Sequence, residues 1–492
     1  MDINYHINEL LNYGLTKGLM SKQDYQYNAN VLIALFNRKE FSFVEAKPRE
    51  LESILDDVAS FAFHSQIIPS NDVVTMDNFK ALVMDSIMEK PSSVINKFYE
   101  LYQQGPAFAT NYLYSLSKDS NYIQTKRIAQ NVIWNEKVEY GELEMTINLS
   151  KPEKDPKLIA LQKNQKSSSY PKCQLCIENE GYRGNISYDS RSNMRIIPIT
   201  LNNEPWFFQY SPYSYFNEHA IVLHQDHEPM IVDGTTFKKL LDFLDLFPDY
   251  FIGSNAGLPI VGGSILNHEH FQAGKHHFPI EKAKAVMIKK QDEVTVQKLV
   301  WPLSTIRLIS ESKDKIIKMA THFLEKWQNY QNQALCLFNS KTDIHHTLTP
   351  IARINNGQYV FDLILRSNFI SKKYPDGVFH PHPDCHHIKK ENIGLIEAMG
   401  MGILPPRLKT EFDLISKVLL GKEELLVDGR LQKHHNWLNE LKGLYHDQED
   451  VSSFIQKQAG IVFSKALKDA GVFKMDEQGQ KAFLDFIKES LA

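Results

Sequence analysis

Cysteine is scarce in this chain: four residues in 492, too few for the dense disulfide framework of a small secreted domain. Long apolar runs are missing as well. No segment approaches the roughly 20 consecutive apolar residues that a membrane-spanning helix takes, so no membrane partner is expected. A basic excess is also lacking, since 55 Lys and Arg stand against 59 Asp and Glu for a net charge of -4. Nucleic-acid binding, which rests on neutralising phosphates, is therefore not expected. The opening residues, MDINYHINELLNYG, carry acidic side chains where a secretory signal has a basic segment and an apolar run. Together these absences predict a cytoplasmic protein.

Against those gaps, a hydrophobic fraction of 42% with 23% charged residues is that of an ordinary globular protein. The 492 residues exceed the roughly 250 to 300 at which a single core stops growing, so more than one unit is expected. Residues 1 to 130 read as helical, because NELLNYGL, NANVLIALF and SSVINKFYELYQQ place apolar side chains three and four apart. From 131 to 290 the texture turns to strands, at RIIPI, PWFFQYSPYSYF and HAIVLHQ. After them GTTFKKLLDFLDLFPDY predicts a helix with Thr235 and Thr236 as caps and Pro248 as its stop. Residues 291 to 425 repeat that texture more loosely, with a helix at SKDKIIKMATHFLEKWQNY and strands at ALCLF, HTLTPIARI and QYVFDLILR. An amphipathic helical tail fills 426 to 492. The pattern predicts an α+β fold on mainly antiparallel sheets, in two similar halves with helical N- and C-terminal extensions.

Chemistry concentrates in SILNHEHFQAG, residues 264 to 274. On a strand His268, His270 and Gln272 share one face and Glu269 and Phe271 the other, with same-face neighbours about 6.6 Å apart. Just upstream, GSNAGLPIVGGS supplies Gly253, Gly257, Gly262 and Gly263, whose bare backbone lets amides approach a ligand. That stretch is neither a dinucleotide fingerprint nor a P-loop. Its amides, with Asn255, Ser264 and the neutral Gln272, form a set of donors suited to phosphoryl oxygens, and an imidazole sits among them. The combination points to phosphoryl or nucleotidyl transfer through histidine.

His268-Glu269-His270-Phe271-Gln272, preceded by Ser254-Asn255-Ala256-Gly257 and Gly263-Ser264, resembles the active-site strand of galactose-1-phosphate uridylyltransferases, which belong to the histidine-triad superfamily. ATNYLYSL, CQLCIENEGYRGN, NEHAIVLHQDHEPM and HPDCHHIKKENIGLIEAMGMGILPPRL extend the resemblance, to the second, bacterial branch, over most of the chain. It implies a histidine-triad-like fold and a part in galactose catabolism. By this resemblance His270 attacks the α-phosphorus of UDP-glucose, releases glucose 1-phosphate and holds UMP, which galactose 1-phosphate then takes as UDP-galactose. Gln272, Ser264 and the glycine amides, Gly263 among them, bear the developing charge. Asn255 contacts the nucleotide phosphate, with Ser254 and Gly257 beside it. Glu397 in NIGLIEAMG matches the hexose-binding glutamate approximately, the alternative being a helix-surface carboxylate. The first branch has proline where Glu269 stands, an exchange that a side chain facing away from the substrate makes tolerable. Its literal His-Pro-His recurs here as His380-Pro381-His382, but two positions beyond His382 stands Asp384, which repels phosphate where Gln272 donates to it. A homodimer without an organic cofactor is the further implication.

Cys173-x-x-Cys176 is half of a zinc site, since structural zinc takes four ligands. By the same resemblance His227 and His268 complete a structural zinc site, with His224 the rival third ligand and a buried pair of reduced thiols the plainer reading. FHPHPDCHH offers His380, His382, Cys385, His386 and His387 either to a second metal or, more simply, as a proline-stiffened loop lining the substrate pocket. Lys275, His276 and His277 read as a solvated basic turn. Three rival functions follow: another histidine-triad nucleotidyltransferase or phosphorylase acting on dinucleoside polyphosphates or nucleotide sugars, a metal-dependent hydrolase on His380, His382 and His386, and a non-catalytic nucleotide-binding regulator.

Overall fold

A computed structural model describes residues 2–150, 170–185, 188–263, 265–339, 344–422, 429–446 and 450–492. The chain divides into two units. The first comprises Met1–Ala129, Glu153–Ser214 and Glu218–His227, and the second Gln130–Pro152, Tyr215–Asn217 and Glu228–Ala492. No helix among the described residues is long and apolar enough to cross a membrane.

The first unit opens with helices Ile3–Thr16, Tyr25–Leu35, Leu51–His64, Val73–Asp85, Pro91–Tyr102 and Pro106–Asp119. Their apolar spacing explains them. On Leu51–His64 the buried residues are Leu51, Ile54, Leu55, Val58, Ala59 and Ala62, one stripe at helical period. Starts are chemically marked: Asp2 and Asp72 accept from backbone amides, and Pro91 and Pro106 occupy first turns where their missing N–H is not needed. Strands Ile197–Leu201, Glu204–Tyr210 and Ala220–His224 pair antiparallel in the order of the sequence. Arg195, buried just before them, donates to Glu89 O, Ser192 O and Met194 O and pairs with Asp85 at 2.9 Å, which ties the helices to this meander.

The second unit holds an antiparallel sheet. Its order is His270–Gly274, Phe251–Gly253, His346–Asn355, Gln358–Ser367, Thr305–Ser310, Val294–Leu299 and Ala285–Gln291. The two ten-residue strands join through Asn356-Gly357, both at positive φ (49° and 77°), the tight hairpin that Asn-Gly favours. Helices Gly234–Leu246 and Lys313–Gln328 pack on this sheet and on each other. A smaller sheet of Val132–Val138, Gly141–Ile147 and Met401–Leu404 buries Leu143, Met145, Ile147 and Leu404 in one core with Phe412, Ile415, Phe463 and Leu467. The helical tail, His435–Leu444, Val451–Ala470 and Glu477–Ser490, thus packs as part of this unit.

The α+β class with mainly antiparallel pairing stands. Two local readings do not. ALCLF is no strand: Gln333–Leu335 is a short 3-10 helix followed by Cys336 in the left-handed region, because among the described residues nothing pairs with it beyond a single bridge between Asn332 and Leu337. The helix predicted to be capped by Thr235 and Thr236 is capped instead by Asp233, two residues before Thr235: Asp233 accepts from both threonine amides, while the Thr236 hydroxyl accepts from the Asp233 N–H. Aspartate, a charged acceptor, outcompetes the hydroxyls for those amides.

Candidate active site

Phe251–Gly253 and His270–Gly274 lie side by side with Gly253 opposite Gln272, so the glycine-rich residues 254–263 leave the sheet beside the strand that carries His270 and Gln272. Gly253 is forced: a Cβ there would stand 2.9 Å from Pro350 O and 2.9 Å from Leu395 Cδ1. Ser254 and Asn255 follow it, both buried. Ser254 donates from its hydroxyl to Asn255 O, and Asn255 Oδ1 accepts from the Leu395 N–H at 3.1 Å. Gly257 and Gly263 turn the loop at φ of 70° and 76°. Ser264 lies outside the described residues.

His268 does not belong to the strand. The chain bends there, and pairing starts at His270. The bend brings the His268 carbonyl 2.8 Å from His270 Nδ1. A carbonyl can only accept, so Nδ1 carries the proton. Burial pushes the His270 imidazole down to about 4, with His268 adding to the shift and the carbonyl bond opposing it. At neutral pH the ring is uncharged, and a lone pair is left on Nε2.

Glu269 points to the helix Gly234–Leu246, where both of its oxygens meet Lys239 Nζ, at 3.0 and 3.2 Å. Its own N–H donates to Glu228 O at 2.7 Å. Gln272 is half-buried and shares His270's face by strand alternation.

Glu397 is no surface carboxylate. It is buried in the short helix Leu395–Ala398, accepts from the Gly394 N–H at 3.0 Å and pairs with Lys389 at 2.8 Å. Burial pushes its carboxyl up, and Lys389 opposes that. Arg366, fully buried on its strand, donates to Ile393 O, and burial lowers its guanidinium to about 10. The segment 393–397 therefore gathers Asn255, Arg366, Lys389 and Glu397. Sequence reasoning missed Lys389, Arg366 and Lys239, since a lysine or arginine in a mixed segment reads as solvated until burial is known.

In the first unit Cys173 Sγ lies 3.4 Å from Cys176 Sγ, which lies 3.2 Å from His227 Nδ1. Asn179 holds the turn by donating to both cysteine carbonyls. Burial, helped by Cys173, pushes the Cys176 thiol up to about 12, a penalty that a bound cation reverses. Two sulfurs and an imidazole suit zinc. His224 is turned elsewhere: its Nδ1 accepts from the Asp226 N–H and its ring abuts Trp206. His268, the fourth donor of the sequence reading, belongs to the second unit and is fully buried.

Two of the FHPHPDCHH histidines, His380 and His386, meet at the Pro381 carbonyl, and the others look elsewhere. His380 faces Asn392, His382 stacks on Tyr374 and pairs with Asp469, His386 meets Pro381 O, and His387 lies against His434 and Trp437. Lys275 covers the Tyr250 ring, His276 pairs with Glu144 and the exposed His277 with Glu281.

Two family models match the chain: the N-terminal domain of galactose-1-phosphate uridyl transferase over residues 19–229 and its C-terminal domain over 243–438. A galactose-1-phosphate uridylyltransferase of Clostridium acetobutylicum is 46% identical over 494 residues, 99% of each chain. One of Lactococcus lactis subsp. lactis is 45% identical, again over 99% of each. Yeast Ap4A phosphorylase Apa2 in complex with AMP, at 14% identity and a TM-score of 0.35 over 69% of this chain and 96% of its own, is a remote likeness only. On the family models and the full-length relatives, the chain belongs to the galactose-1-phosphate uridylyltransferase family.

Proposed function

We propose that this protein moves UMP from UDP-glucose to galactose 1-phosphate by way of a covalent UMP–His270 intermediate. The observation that carries the reading is the Nδ1 bond of His270 to the His268 carbonyl, which leaves Nε2 as the nucleophile. Nε2 attacks the α-phosphorus of UDP-glucose. A nitrogen–phosphorus bond forms as the bond to the bridging oxygen breaks, and glucose 1-phosphate leaves with that electron pair. A phosphate monoester with a second pKa near about 6 is a competent leaving group without a strong general acid. An oxygen of galactose 1-phosphate then attacks the same phosphorus, the nitrogen leaves with its pair, and UDP-galactose departs. Nδ1 keeps its proton throughout, the His268 carbonyl holding the ring while charge passes through it.

Gln272, Ser264 and the glycine amides, Gly263 among them, bear the charge that develops on the α-phosphoryl oxygens, where one donor is worth on the order of 3 kcal/mol. Ser254, Asn255 and Gly257 shape the loop against the nucleotide phosphates, and Glu397 takes the hexose hydroxyls. Cys173, Cys176 and His227 would hold zinc, and the ion would supply structural cross-linking. The proposed pair of substrates is tested by mixing pure protein with UDP-glucose and galactose 1-phosphate and following UDP-galactose. Exchange is expected for the natural chain and none for His270→Ala. Release of a nucleoside diphosphate on adding inorganic phosphate, without exchange, would instead favour a phosphorylase.

A further inference from the structure

One peptide group carries two tethers at the nucleophile. The carbonyl of the His268–Glu269 peptide receives His270 Nδ1–H at 2.8 Å, and the N–H of the same group donates to Glu228 O at 2.7 Å. Because the group is planar and rigid, rotating it breaks both bonds at once. Its next side chain, Glu269, ends on Lys239 through both carboxylate oxygens. Lys239 sits in the helix Gly234–Leu246, whose capped start and buried Phe237, Leu240, Leu241 and Leu244 fix it in the core. Lys239 is 6% and Glu269 8% exposed, so both charges are out of water.

We infer that Lys239 is a positioning residue for His270, acting through Glu269 to hold the peptide whose carbonyl orients the imidazole. A buried ion pair is a poor way to gain stability, since an apolar pair of similar volume serves as well or better. What it supplies is direction: two hydrogen bonds of fixed length between a rigid helix and the residue between the two histidines. This inference rests on His270 being the nucleophile.

The natural chain, Lys239→Met/Glu269→Met, Lys239→Arg and Glu269→Gln are each treated with UDP-glucose in a single turnover, with labelling of His270 timed and KM and melting temperature measured. The double methionine variant removes both charges of the pair together and is expected to keep its melting temperature and KM. Its labelling rate and kcat are expected to fall about tenfold to a hundredfold, the scale of a small misplacement of a reacting group. Lys239→Arg, which keeps the donors, is expected to label close to the natural rate. Natural labelling rates in the double variant overturn the inference. If that variant does not fold, Glu269→Gln decides: slower labelling at unchanged KM supports the positioning role, and unchanged labelling overturns it. Failure of the natural chain to label at His270 would instead overturn the reading of the nucleophile.

Discussion

At the scale of single residues, the site was legible where chemistry is carried by residue type and spacing. His270 and Gln272 stand two apart in the sequence and occupy one strand, and Glu269 faces the other way, toward Lys239. The bend at His268 was not legible, because alternation of histidines reads as continuous strand, yet the bend is what gives His270 its carbonyl partner. The exchange of proline for glutamate at 269 also looks different in the structure: the Glu269 N–H bonds Glu228 O, which a proline cannot do. Gly253 makes the sharpest local prediction. Alanine there sets its methyl against Pro350 O and Leu395, so Gly253→Ala is expected to lower unfolding free energy by about 1–3 kcal/mol in urea titrations. An unchanged midpoint would mean that the strand moves aside.

At the scale of elements, strands with β-branched or aromatic runs and partners on both sides, such as HTLTPIARI and QYVFDLILR, were readable, and ALCLF failed because its composition matched but, among the described residues, a single bridge is all the pairing it has. Helices were readable from their stripes, their caps less so. The helix Arg407–Leu419 carries a feature that no spacing announces: Glu411 receives Arg407 at 2.7 Å and His434 at 2.8 Å, and Lys433 as well. Burial alone would raise this carboxyl, but the bonds from His434 and Lys433 and the charge of Arg407 outweigh it and lower it from 4.5 to about 2. A depressed folded-state value means stability that is present above pH 4.5 and lost as pH falls toward 2. Denaturation midpoints across that window are expected to fall for the natural chain and to fall less for Glu411→Gln. Parallel slopes would remove Glu411 from the account.

At the scale of the whole molecule, each unit brings one kind of chemistry: the first gathers Cys173, Cys176 and His227, the second the His270 strand with its loop and the buried 393–397 segment. If the thiols hold zinc, elemental analysis is expected to find one ion per chain, and Cys176→Ser to lose it and melt at lower temperature; a metal-free chain of full stability contradicts that. The central claim concerns a single nitrogen. Incubating the protein with UDP-glucose alone, then digesting it and sequencing the peptides by mass spectrometry, is expected to place one UMP on His270. No adduct, or an adduct on another side chain, would contradict the account.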